Sequence, residues 1–107
     1  VSRPYILTKS AAADIRELAR YTAKHWGDSQ CRTYIEQIEK AAAAVATGKG
    51  VFKDMSSLLP GLRVKAAGRH YIFCLPRVNG PALILAVLHE RMDIIARLRD
   101  RLAYSAE

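Results

Sequence analysis

The spacing of apolar residues changes character along the chain, and each change marks an element. Tyr5-Ile6-Leu7 is a short β-prone run. Pro4 introduces it where a strand needs no ladder donor, so it reads as a first strand. From Ala11 the period becomes helical. Ala11, Ile15, Leu18, Ala19, Thr22 and Trp26 fall on one stripe, with Thr8 or Ser10 placed to cap its start. Arg16, Glu17, Arg20 and Lys24 fall off the stripe, on the wet side, and Trp26 at its end is expected to anchor the core. Asp14 and Glu17 put acidic charge in the first half, where the helix dipole favours it. Gly27-Asp28 interrupts the pattern, and Asp28 is a good N-cap for a second helix. There Cys31, Tyr34, Ile35, Ile38, Ala41, Ala42 and Val45 repeat at helical spacing, and Gly48 closes the helix in the left-handed conformation. Two amphipathic helices joined by two residues fold back as an antiparallel hairpin.

Residues 49–61 show no period and contain Gly50, Ser56, Ser57, Pro60 and Gly61, so they read as a connecting loop, with Leu58 and Leu59 tucked onto the core. Residues 62–65 form a short strand, which Ala67-Gly68 turns into a second over 69–75. In that one Tyr71, Phe73 and Leu75 alternate with His70, Ile72 and Cys74. Val78-Asn79-Gly80-Pro81 is a turn signal, and the nearly all-apolar stretch 82–89 predicts a central strand covered on both faces. Asp93 caps a last helix over 94–102 that carries Arg97, Arg99 and Arg101, and 103–107 is expected to fray.

The order is β-α-α-β-β-β, an α+β fold in one domain over 1–107. The helix hairpin packs on one face of a small antiparallel-type sheet, and a short helix ends the chain. Only that short helix is at hand for the second face, so part of its apolar area is expected to wait for a partner. The first strand and the 62–65 strand are candidate sheet edges.

Length and composition narrow the class. At 107 residues, half of them apolar and a quarter charged, the chain has the make-up of one globular domain whose core needs no metal or disulfide. Its net charge of +7 and pI of about 9.8 favour acidic partners, either nucleic acid or an acidic protein segment. Cys31 and Cys74 lie far apart with no metal-ligand spacing and read as buried free thiols in a reducing compartment. The opening Val1-Ser2-Arg3-Pro4 shows no signal-peptide pattern, and the longest apolar run, 81–88, is too short to span a bilayer. A cytoplasmic protein with no membrane contact is expected.

Candidate chemistry is sparse. Metal-free RNA cleavage needs a base near the 2′-hydroxyl, an acid at the leaving oxygen and cations around the phosphorane. Arg63, Lys65, Arg69, His70 and Tyr71 straddle one hairpin, and His89, Glu90 and Arg91 follow the last strand. Of these, Arg63, His70, His89 and Arg91 are the weak catalytic candidates. His70 and His89 approach one another only if their strand ends adjoin. The plainer alternatives are a satisfied strand histidine at His70 and a strand-to-helix junction at His89-x-Arg91-Met92-Asp93, where Asp93 caps and Arg91 pairs with an acid. His25 is expected to face solvent, and Ser56 and Ser57 have no base partner. No GxGxxG, P-loop, HExxH or clustered His/Cys set occurs, so neither cofactor nor metal is expected.

Four strings carry a family resemblance: Leu7-Thr8-x-x-Ala11-x-x-Asp14, Tyr21-Thr22-x-x-x-Trp26-Gly27, Gly68-x-His70-x-Ile72-Phe73 and Val87-Leu88-His89-x-Arg91-Met92-Asp93. In this order, with Leu62-Arg63 before the hairpin turn, the chain resembles the ParE branch of the ParE/RelE toxins. The resemblance spans nearly the whole chain. It implies a toxin of a type II toxin–antitoxin module, neutralised by a ParD-like antitoxin whose disordered C-terminal segment wraps it. It also implies action by binding and poisoning DNA gyrase, which stalls replication. The alternative is the RelE branch, which cuts messenger RNA on the ribosome. That branch places an arginine and a tyrosine or histidine late in the chain, where this sequence has a helical stretch and Tyr104 in the tail, so a binding toxin is preferred over an enzyme. Direct nucleic-acid binding by the chain alone is not expected. Departures from the commonest ParE pattern fall at Ala86 and at Cys74-Leu75-Pro76. The residues expected to meet a partner are Leu62, Arg63, Lys65, Arg69, Arg91, Met92, Arg97 and Arg101.

Overall fold

The computed structural model describes residues 3–105. Its elements are β1 (Tyr5–Leu7), α1 (Lys9–Thr47), β2 (Lys53–Asp54), β3 (Arg63–Ala67), β4 (His70–Arg77), β5 (Gly80–His89) and α2 (Ile94–Ser105). The first helical span is broken at Gly27, whose φ of 88° and ψ of 167° no other residue adopts cheaply. Beyond the break the chain returns on itself, and the Cys31 thiol donates to the Ala19 carbonyl at 3.3 Å. On a straight helix those residues would lie about 18 Å apart. Thr8 caps the first arm by accepting from Ala11 N–H at 3.1 Å, and Gly48 ends the second in the left-handed region with φ 75°. Asp28 makes no cap bond among the described residues. Gly27, with its extended ψ, occupies the half-in position itself.

The sheet order is β1-β5-β4-β3-β2. Neighbours are antiparallel except β1, which the intervening helix hairpin carries round to lie parallel to β5. Two expectations need correction here. The loop over 49–61 contains β2, a two-residue strand too short to show any period. By pairing with Arg63 and Val64, β2 takes the outer edge from the start of β3. The last helix also continues through 103–105, beyond the predicted end at 102, while 106–107 lie outside the described residues. Pairing of β4 with β5 slips twice. Leu85 is left over between the Phe73–Ala86 and Cys74–Ile84 pairs, and a second shift falls around Pro76, which has no N–H to give the ladder.

Apolar clusters form on both faces of the sheet. On one, Ile38, Ala42 and Val45 of the hairpin bury Ile72, Cys74, Ile84 and Val87. On the other, Leu62, Val64, Phe73, Leu85 and Leu88 pack with Leu98 of α2, and Met55, Leu58 and Leu59 close the cluster from the side. The second face is therefore covered by α2 together with the 55–59 segment. Ile6 of β1, which alternates away from the hairpin face, and Ile95 of α2 stay partly exposed, and Tyr21, Trp26 and Met92 are exposed at the broken end of the hairpin. No helix among the described residues is long and apolar enough to cross a membrane.

Candidate functional site

The hairpin joining β3 and β4 meets α1 through one side chain. Gly68 opens its two-residue loop with φ 58°, a conformation favouring glycine. The Tyr34 ring lies directly beneath it, where an added Cβ would come within 2.5 Å of Cε1. The Tyr34 hydroxyl accepts from Arg69 N–H at 3.1 Å and lies 3.2 Å from the Ala67 carbonyl and 2.6 Å from His70 Nδ1. Burial raises the phenol's pKa, so it stays protonated and able to donate.

His70 stands directly across the ladder from His89, and their rings meet edge to face with centroids 5.1 Å apart. The strand ends do adjoin, as the approach of these two histidines required. Burial, and then the neighbouring His89, press the His70 pKa down to about 4, which leaves the ring neutral at physiological pH. His89 Nδ1 accepts from Arg91 N–H at 3.1 Å, which leaves Nε2 as the nitrogen that carries a proton. Arg69 and Glu90 close the rim with a 3.0 Å ion pair.

These groups form one wall of a cleft of about 960 Å³. Leu18, Tyr21, Thr22 and Trp26 of the first helical arm form the opposite wall, and Arg91 and Met92 its lip. Trp26 is 68% exposed and Tyr21 60%, so Trp26 is not the core anchor its place on the stripe suggests. The arm overhangs the sheet near Gly27, and its last turn has nothing to bury against.

Behind the cleft, Asp14 performs a structural task. Its carboxylate takes a bidentate fork from Arg101 at 2.7 and 2.8 Å and accepts Val87 N–H at 3.0 Å. Arg101 also donates to the Leu85 carbonyl at 3.2 Å, just past Ile84, where β1 has ended and that edge of β5 has no strand partner. The pair is largely shielded, with side chains 24% and 15% exposed, and it fastens α2 to α1 and β5.

The residues singled out from sequence thus separate. His70, His89, Arg69, Arg91 and Met92 share the cleft. Arg63 lies away from it, donating to the Val45 carbonyl at 3.0 Å and stacking over Phe52 at 4.8 Å. Lys65 donates to the Val51 carbonyl at 2.8 Å. Leu62 is fully buried in the second-face cluster and offers a partner no surface. Arg97 is exposed, whereas Arg101 is held by Asp14. Ser56 bonds the Asp54 carboxylate and holds its pKa down, and His25 is exposed as expected, stacked on Tyr21 at 4.0 Å. Buried Cys74 has its thiol pushed up to about 11, a poor nucleophile. Among the described residues no three His, Cys, Asp or Glu are grouped to hold a metal ion. Tyr34 and Asp14 matter more than their sequence positions suggested. Tyr34 read as one member of an apolar stripe, and Asp14 as a dipole charge.

Comparison with known proteins places this architecture. The family model described as the ParE toxin of type II toxin-antitoxin system, parDE, matches residues 5–94. Toxin ParE of Escherichia coli is 54% identical over 98 residues, covering 92% of this chain and 95% of that protein. Toxin ParE1 of Caulobacter vibrioides is 30% identical over 96 residues, 90% of this chain and 98% of that protein. A solved chain from the chromosomal ParDE TA system of P. aeruginosa shares the fold, with a TM-score of 0.61 at 17% identity over 79% of this chain and 92% of that one. The chain belongs to the ParE family, the toxins of parDE-type toxin–antitoxin systems.

Proposed function

We propose that this toxin acts by binding, with DNA gyrase as its target and a ParD-like antitoxin as the partner that silences it. The observation that carries the preference for binding is that the candidate catalytic residues, three of which share the cleft, do not assemble into a fixed set of acid, base and cation. Arg63 is committed to the Val45 carbonyl away from the cleft, Arg69 to Glu90, and His70 is uncharged at neutral pH. Arg91 shares the cleft, but its guanidinium has no ion pair or hydrogen bond to fix it among the described residues. No cation there is therefore held in place between an acid and a base over a reacting phosphate. Family membership supports the gyrase target and the antitoxin. The antitoxin is expected to supply an acidic, partly apolar segment that orders on binding. Such a segment has an open strand edge at β1 to extend, and the basic surplus of the toxin would speed their encounter.

Inducing this gene alone in cells tests the reading. Filamentation with DNA-damage signalling, relieved by co-expression of the antitoxin gene, is the expected outcome. Rapid arrest of translation without DNA damage would refute it. One observation favours a second reading, a ribosome-dependent endoribonuclease: the imidazoles of His70 and His89 face each other at 5.1 Å. Primer extension on translated mRNA would then show cuts that vanish in His70→Ala and His89→Ala.

A further inference from the structure

The cleft joins two features that its neighbours do not use. Its helical wall presents Trp26 and Tyr21 to solvent, and Tyr21 is held flat by stacking on His25 at an interplanar angle of 23°. Exposed rings at 68% and 60% forfeit burial that a core position would give, so a ligand with a flat apolar face gains by covering them. The charges around the cleft are unevenly matched. Asp14 is neutralised by Arg101, Glu17 by Arg20 and Glu90 by Arg69, whereas Arg91 on the lip has no carboxylate partner among the described residues. His89 adds an Nε2–H donor beside it, since its Nδ1 accepts from the Arg91 amide. Aromatic faces on one wall, with an unmatched guanidinium and an N–H donor on the other, suit an unpaired base and its neighbouring phosphate. A duplex cannot use the aromatic wall, because its bases are already stacked. A purely acidic peptide would satisfy Arg91 but has no flat or apolar group to lay on Trp26 and Tyr21.

We propose that this cleft binds a single-stranded stretch of nucleic acid, its bases stacking on Trp26 and Tyr21 and a neighbouring phosphate held by Arg91 and His89. The site goes beyond the proposed grip on gyrase and does not depend on it. It runs against the expectation that the chain alone does not bind nucleic acid directly.

The test uses the whole chain and labelled oligothymidylate and oligouridylate of about ten nucleotides at low salt. Trp26 is the single tryptophan, so its intrinsic fluorescence reports the site directly while anisotropy reports binding. Both oligomers are expected to quench Trp26, and the tighter of the two identifies DNA or RNA as the natural strand. Trp26→Ala should weaken binding by about five-fold or more. Arg91→Ala should weaken it and lower the slope of log affinity against log salt by about one contact. Both side chains are exposed, and circular dichroism checks that the variants keep the fold. Absence of quenching, an unchanged affinity in Trp26→Ala or an unchanged salt slope in Arg91→Ala would overturn the proposal. Tighter binding of an oligoglutamate than of either oligonucleotide would do so too, by assigning the cleft to acidic peptides.

Discussion

Tyr34 joins three backbone and side-chain groups of the β3–β4 hairpin to the helical layer through one oxygen. Removing that oxygen in Tyr34→Phe strands a partly buried donor and acceptor, and is expected to cost about 1–3 kcal/mol in urea unfolding. Gly68→Ala drives a methyl into the same ring and leaves a positive φ, at an expected cost of about 2 kcal/mol. His70 adds a pH dependence. Its folded pKa of about 4 lies below its ordinary 6.5, so protons bind the unfolded chain more readily. Its contribution is harmless above pH 6.5, erodes stability as pH falls from there to about 4, and levels off below. His70→Gln should flatten that part of the stability profile, and an unchanged profile would show that the ring is not desolvated as described. The glycine turn was readable because Gly68 breaks an alternating run. Tyr34 was not, because its polar partners lie 33 to 36 residues away and depend on strand register.

At the level of elements, the two hinges of the fold are a glycine and an ion pair. Gly27 sits in open space, so Gly27→Ala meets no neighbour, but its backbone conformation costs an alanine about 1–3 kcal/mol. Loss of the Cys31–Ala19 contact, seen as faster amide exchange at the arm ends, would accompany it. Asp14→Ala leaves Arg101 without its carboxylate and Val87 N–H without an acceptor. It should cost about 3 kcal/mol and loosen α2, and a double-mutant cycle with Arg101→Ala should recover much of the loss as coupling. Helical period, cap residues and strand alternation made the hairpin, β3, β4, β5 and α2 readable in the sequence. β2 was hidden by its two-residue length, and the Asp14–Arg101 clasp by a separation of 87 residues. Trp26 misled for a different reason: an apolar stripe records which side of a helix faces inward, but not where the sheet beneath it ends.

The whole molecule is a covered, strongly basic body whose exposed apolar rings gather at one cleft. That combination suits a protein that grips other macromolecules, since charge hastens encounter and exposed rings lengthen residence. Arg97 is exposed on α2 whereas Arg101 is locked, so charge reversal at Arg97 alone should slow antitoxin association at low salt without destabilising the fold. Stopped-flow mixing at two ionic strengths measures it, and an unchanged rate would remove α2 from the encounter surface. The most direct measurement for the toxin itself is supercoiling of relaxed plasmid by purified gyrase, with and without the isolated protein. The account predicts that the free chain halts supercoiling and that prior mixing with its antitoxin restores it. Full supercoiling in the presence of excess toxin would contradict gyrase as the target.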